Sequence, residues 1–221
     1  MTTSLDDLSD ESLGLLETPG LSATLAAIDA MEKSAGIRVL QCELNDLSGV
    51  CTKIVGKTAD VCTAIERGRL AAAAMGAAPV AQVLARPDDR AWPAIRSRRE
   101  FNPLIEQDVV FFPEFQPAAG TADEGLAMTH ETISALGLIE TQGFTAVFEA
   151  IDTACKVANV QVVGKEKLGG GYVTVILKGD LAAVKAAVEA GQAKVEGLGK
   201  LIAAHVLARP SPAVLGLLPK S

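Results

Sequence analysis

Four cysteines, two histidines and a run of three glycines are the residues with which this chain could most readily do chemistry. Cys42, Cys51, Cys62 and Cys155 show no C-x-x-C spacing. Four thiols would permit two disulfides. The segment Met1 to Glu11 is polar and acidic, however, without the basic-then-apolar order of an export signal, and a reducing cytosol is expected. His130 and His205 are too few for a multi-histidine metal site or a histidine-based triad within one chain. Gly169, Gly170 and Gly171 lack the spacing of a nucleotide loop, because no G-x-x-x-x-G-K-[ST] or G-x-G-x-x-G leads from a strand into a helix. Arg90, Arg96, Arg98 and Arg99 cluster around Trp92, but a net charge of −7 argues against general nucleic-acid binding. A solvated helix anchored by Trp92 is the expected reading. No set of acid, base and nucleophile converges, so an enzyme is not expected.

The elements that would position these residues come twice. Ser12-Leu-Gly-Leu-Leu-Glu-Thr-Pro-Gly20 returns as Ala135-Leu-Gly-Leu-Ile-Glu-Thr-Gln-Gly143, and the register holds without gaps to Arg86-Pro87 and Arg209-Pro210. Paired positions lie 123 apart, and about 28 of roughly 76 are identical. A length of 221 therefore divides into two domains with small cores. The expected organisation is a tail over 1–11, a first domain over 12–99, a linker over 100–134, and a second domain with a C-terminal tail over 135–221. Apolar residues make up 49% and aromatic residues 4%, so small aliphatics fill the cores and helices can lie close to a sheet. No apolar run reaches the ~18 residues of a membrane span.

Each copy reads β-α-β-β-α-β. Short apolar runs over 12–17 and 135–140 are expected strands. Gly20 and Gly143 open helices whose apolar stripes are Leu21, Thr24, Leu25, Ile28, Met31 and Ala35, and Phe144, Val147, Phe148, Ile151, Ala154, Cys155 and Ala158. Hairpins follow, over 37–55 and 160–177, with an uncertain one-residue slip in the turn. Asp180 is placed to cap the next helix, and Thr58 to do so in the first copy. The second stripes are Val61, Ile65, Gly68, Ala72 and Met75, and Leu181, Val184, Val188, Gly191, Val195 and Leu198. A last strand, 80–84 or 201–207, stops at the Arg-Pro pair, because proline removes a ladder donor. The fold class is α+β: two tandem ferredoxin-like domains, each an antiparallel sheet with helices on one face. Between the copies a helix near 90–99, an extended piece over 109–115 and a flexible point over 119–125 are expected. The segment 212–221 reads as a peripheral tail.

These residues resemble the bacterial microcompartment shell domain, the BMC domain. The second copy carries the match through the segment 135–143, Lys156-Val-Ala-Asn-Val160, Gly164-Lys-Glu-Lys-Leu-Gly169, Val173-Thr-Val-Ile176 and His205-Val-Leu-Ala-Arg-Pro210. The whole chain resembles the unpermuted tandem class, in which three chains give six domains in a pseudo-hexamer. The resemblance implies a non-enzymatic structural protein of the bacterial cytoplasm, set in a microcompartment shell. Its implied partners are itself as a homotrimer, other shell proteins laterally, and small metabolites through a central pore. No cofactor, metal, nucleic acid or membrane is implied.

The resemblance also assigns residues. The hairpin turns would line the pore through Asn45, Asp46, Leu47, Ser48 and Gly49 in one copy and Leu168, Gly169, Gly170 and Gly171 in the other. Side-chain-free turns leave backbone N–H groups toward an opening, which suits anionic or polar metabolites. Three Asp46 carboxylates near one axis would repel one another and could hold a cation or deter anions. The first turn departs from the family's Gly-Ser-Gly-like pattern. Lys33, Lys156, Arg86 and Arg209 would lie at the tile edge, where a lysine stem can cross a neighbour and donate to its carbonyls. Some tandem shell proteins hold an iron–sulfur cluster at the pore, but Cys42 and Cys51 flank the turn rather than sit in it, and buried structural thiols are the expected reading. A trimeric small-molecule-binding regulator on the same topology is the alternative.

Overall fold

The computed structural model describes residues 11–45, 49–88, 91–95 and 133–218. The expected segments at 1–10, 109–115 and 119–125 lie outside them. The first copy runs β1 (Ser12–Pro19), α1 (Leu21–Ser34), β2 (Arg38–Asn45), β3 (Gly49–Gly56), α2 (Thr58–Ala74) and β4 (Val80–Leu84), then a one-turn helix α3 (Trp92–Ile95). The second runs β5 (Ala135–Gln142), α4 (Phe144–Val157), β6 (Gln161–Gly169), β7 (Tyr172–Gly179), α5 (Leu181–Gln192) and β8 (Lys200–Ala208), then α6 (Pro212–Gly216). Both sheets are antiparallel, in the orders β2-β3-β1-β4 and β6-β7-β5-β8.

The duplication extends to register. Leu13 faces Val55 and Leu84, just as Leu136 faces Lys178 and Leu207. Each first hairpin strand bulges at the same place, at Leu40 and at Val163, where one residue is skipped in the pairing. A bulge needs an extra residue on one strand and increases local twist. Its recurrence shows that pairing geometry was duplicated along with sequence.

Alternation decides which strand residues face α1 and α2 or α4 and α5. In the first copy Leu16 and Ile54 join Val61, Ile65, Ile28 and Met31 in a core. In the second, Ile139, Val175 and Leu177 meet Val147, Ala150, Val184 and Val188. The helices lie close because glycine leaves room. A Cβ on Gly14 would meet Ile54, Val61 and Ile65 at 2.7–2.8 Å, and one on Gly137 would meet Val188 at 2.7 Å.

Helix-to-helix packing separates a paired set of glycines. A Cβ on Gly191 would stand 2.9 Å from the Ala150 carbonyl oxygen, a backbone atom that cannot swing aside. At Gly68 the nearest atoms belong to Met31, a flexible side chain. Gly191→Ala is therefore expected to destabilise by about 1–3 kcal/mol through overpacking. Gly68→Ala should cost less, because the Met31 side chain can move aside while the gain in helix propensity, up to about 1 kcal/mol, is common to both sites. Urea midpoints of the two variants check this; equal losses would contradict it.

Several expectations need correction. In α4 the core face is Ala146, Val147, Ala150 and Ala154, whereas Phe144, Phe148 and Cys155 are exposed. Small residues seat the helix on the sheet, and the large ones stand on its flank. Helix α5 stops at Gln192, so Val195 is buried from a turn and Leu198 is exposed. Thr58 does not cap α2; its hydroxyl pairs with Ser12 Oγ at 2.7 Å. Asp180 does cap α5, accepting from Ala183 N at 2.9 Å.

The segment after each Arg-Pro pair crosses the sheet face opposite the long helices. Trp92 is buried there with Leu13 and Val55, as the anchoring role expected, with Leu15, Leu40 and Ile95 packed around them. Lys53 is buried beside it, donating to the Ile95 carbonyl at 2.6 Å and pairing with Glu43 at 2.8 Å. The C-terminal segment is not peripheral: Val214 of α6 is fully buried with Leu136, Leu138 and Ile176. Its carbons have no better place, because the outer face of the second sheet is itself apolar.

Candidate assembly surfaces

The site with the most built-in polar chemistry is the junction between the copies. Helix α1 packs on its own sheet from one side and on β5, β8 and α6 from the other. It is consequently buried almost all round, from Ser22 to Asp29. Its first turn carries no acidic residue, and its N-cap is a glycine at φ 82° without a side chain to offer. The carboxylate of Glu140, on the other copy, fills that role. Its two oxygens accept from the backbone N–H groups of Leu21 at 2.8 Å and Ser22 at 3.1 Å. Glu140 is completely buried. Unsatisfied amides and the helix dipole together make a helix start a favourable place for that charge.

The far end of α1 is tied in the same way. Asp29 accepts from Ser211 N at 2.9 Å, and Glu32 from Ala213 N at 2.9 Å. Lys33 bridges Asp29 at 2.7 Å and the Ala208 carbonyl at 3.1 Å. His205 lies close enough to Asp29 to feel its charge. His205 is a half-buried residue of β8, where burial lowers the imidazole's pKa and Asp29 opposes that.

The equivalent features on α4 of the second copy and β4 of the first lack a cover. Phe148, the counterpart of Leu25, is 50% exposed where Leu25 is 1% exposed. Leu84 on β4 is 37% exposed where its counterpart Leu207 is 4% exposed. Phe144 is exposed and stacks obliquely on Phe148, with their ring centres 6.1 Å apart. Lys156 pairs with Asp152 at 2.5 Å, a surface contact of small energetic weight. Equivalent positions of the repeat are thus covered on one copy and exposed on the other.

The two hairpin turns are built differently. Gly170 and Gly171 form the two-residue connection from β6 to β7, with φ of 57° and 80°, as a type I′ hairpin requires. Gly169 precedes them at φ 91°. An additional bulge at Leu168 accounts for the slip anticipated in this turn. The Leu168 side chain is 6% exposed in the single chain. In the first copy Asn45 and Gly49 are paired at the strand ends, while Asp46, Leu47 and Ser48 lie outside the described residues.

Comparison with known proteins places this duplicated sheet-and-helix unit. The BMC domain family model matches residues 12–87 and again 135–210. The chain belongs to the BMC-domain family. Among its relatives, the shell protein PduA of Salmonella typhimurium is 52% identical over 86 residues, which is 39% of this chain and 92% of PduA. The carboxysome assembly protein CcmO of Synechococcus elongatus is 32% identical over 210 residues, spanning 95% of this chain and 69% of CcmO. The major carboxysome shell protein CsoS1A of Halothiobacillus neapolitanus is 46% identical over 95 residues, 42% of this chain and 97% of its own. A solved microcompartment protein from Desulfitobacterium hafniense covers 93% of this chain and 98% of itself at 24% identity and a TM-score of 0.37. Two BMC domains in tandem, α+β in class, therefore account for nearly all the described structure.

Within these BMC domains the four edge candidates take distinct positions. Lys33 is drawn to the junction through Ala208, whose neighbour Arg209 is exposed at the end of β8. Arg209 has a φ of 49°, unusual for a residue with a side chain, and its N–H donates to the Ser134 carbonyl at 2.9 Å. Arg86 is exposed at the end of β4, and Lys156 is exposed on α4. The four cysteines are free thiols. Cys42 is pushed up to about 11, chiefly by burial, with the Thr52 hydroxyl opposing and Cys51 adding to it. Burial also raises Cys51, against the pull of Lys53. Among the described residues no three His, Cys, Asp or Glu side chains come together as a metal site, and no helix is long and apolar enough to cross a membrane.

The sequence reading missed Glu140, Asp29, Glu32 and Lys53. A signal for the first two was present. Glu17 and Glu140, and Asp29 and Asp152, are identical acidic pairs at matching positions of the two copies.

Proposed function

We propose that this chain is a structural, non-enzymatic component of a bacterial microcompartment shell in the bacterial cytoplasm, working as a homotrimer. Three chains alternate their two BMC domains around one axis and make a pseudo-hexameric tile. The observation that carries this reading is the unequal burial of equivalent residues. Leu25 and Leu207 are covered inside the chain, while Phe148 and Leu84, 123 positions away from each, are open. A head-to-tail surface of this kind is satisfied only by a further copy, and a ring satisfies all of them at once.

In the tile, Asn45, Asp46, Leu47, Ser48 and Gly49 alternate with Gly169, Gly170 and Gly171 around a central pore for small metabolites. Leu168, at the foot of the second turn, completes that lining. Lys33 and Arg209 mark one type of outer edge, and Lys156 with a neighbour's Arg86 marks the other. Lateral contact with other shell proteins occurs there.

Native mass spectrometry and negative-stain microscopy of the purified protein test this. A three-chain mass and extended sheets or tubes are expected. Lys156→Ala should abolish the sheets and keep the three-chain mass; Lys33→Ala should do the same with some loosening inside each chain. A lone chain at every concentration would refute the reading. A discrete trimer that never tiles and shows a saturable, ligand-dependent thermal shift would favour a small-molecule-binding regulator instead.

A further inference from the structure

We propose that Glu17 of one chain caps helix α4 of the next, in trans, as Glu140 caps α1 within a chain; this rests on the trimer reading above. Glu17 and Glu140 occupy the same register. Glu17 faces Cys51 and Val80, and Glu140 faces Thr174 and Ala203, their counterparts 123 residues on. Glu140 reaches the first two amides of a helix belonging to the other copy. Glu17 is exposed on the first sheet.

The receiving end has the matching need. Helix α4 begins after Gly143, at φ 120°, with no capping side chain and no acidic residue in its first turn. In α1 the equivalent amides, on Leu21 and Ser22, are taken by Glu140. Among the described residues no side chain is bonded to the amides of Phe144 and Thr145. An independent feature points to a second copy at this place. Phe144 and Phe148 flank that helix start and are 43% and 50% exposed, whereas Leu25, the counterpart of Phe148, is covered by the second copy of the repeat. A carboxylate delivered by the covering surface would satisfy two amides and the positive end of the dipole together.

A trans cap also explains why neither helix carries its own. A self-capped helix would be indifferent to its neighbour. A helix completed only by the adjoining domain makes folding of the junction and recognition of the partner one event, inside the chain for α1 and between chains for α4.

Amide hydrogen exchange resolved at Phe144 and Thr145 tests this in the intact protein, with native mass measured on the same samples. Glu17→Ala is expected to speed exchange of these two amides by about tenfold or more and to weaken trimer association by a similar factor. Glu17→Gln, which keeps one acceptor oxygen, should give a smaller change in both. Leu21 and Ser22 should stay protected in every variant, because Glu140 is untouched. Unchanged exchange at Phe144 and Thr145 in a Glu17→Ala trimer would overturn the trans cap and leave the trimer standing. A wild-type protein of single-chain mass at all concentrations would instead remove the trimer reading on which the cap depends.

Discussion

Leu25→Asp is expected to unfold the protein, and Phe148→Asp to leave each chain folded while abolishing its association. The two positions are equivalents in the repeat, and one substitution is made at both. Leu25 is 1% exposed between its own sheet and the second domain, so an aspartate there must bury an unpaired charge or pry the domains apart. A loss of about 4 kcal/mol or more is expected, a large part of a domain's stability. Phe148 is 50% exposed in the single chain, and aspartate there costs the monomer about 0.5 kcal/mol or less. Covering a phenylalanine on association contributes up to about 3 kcal/mol per site, so its replacement by a charge should shift a trimer to monomers. Circular dichroism in urea at low protein concentration, with sedimentation velocity at high concentration, separates the effects. Equal loss of folding in both variants would show that α4 does not present a docking face.

Removal of the Glu140 carboxylate gives the second large effect. Glu140→Ala leaves two amides, the part-buried one of Leu21 and the buried one of Ser22, without their acceptor and opens a void at the junction. About 3 kcal/mol of destabilisation follows from two charge-assisted hydrogen bonds of ordinary strength. Glu140→Gln keeps the shape and one acceptor oxygen, and about half that loss is expected. Urea denaturation measures both. If Glu140→Ala were neutral, the polar tie between the domains would be incidental, and apolar packing alone would hold α1 in place.

The contrast between these residues shows what could be read in advance. The repeat offset, the order β-α-β-β-α-β, the glycine before each first helix and the stop at each Arg-Pro pair are all legible, because they depend on local chemistry seen twice. The stripe on α1 is legible for the same reason. The stripe on α4 is misread at Phe144, Phe148 and Cys155, since periodicity reports that a face is apolar and not what covers it. The tail after Pro210 is misjudged in the same way. Seven residues, Ser211 to Leu217, look peripheral until the apolar outer face of Leu136, Leu138 and Ile176 is known to need them.

Sequence alone determined that there are two copies of one fold and how each copy threads its strands, because hydrophobic alternation, turn glycines and prolines act over a few neighbouring residues. Tertiary structure alone decided that Glu140 serves the helix of the other copy, that Lys33 is drawn to the Ala208 carbonyl, and that Leu25 and Leu207 are covered while their equivalents Phe148 and Leu84 are exposed. Those facts depend on contacts between positions more than a hundred residues apart, where direction and distance are set by how whole domains pack.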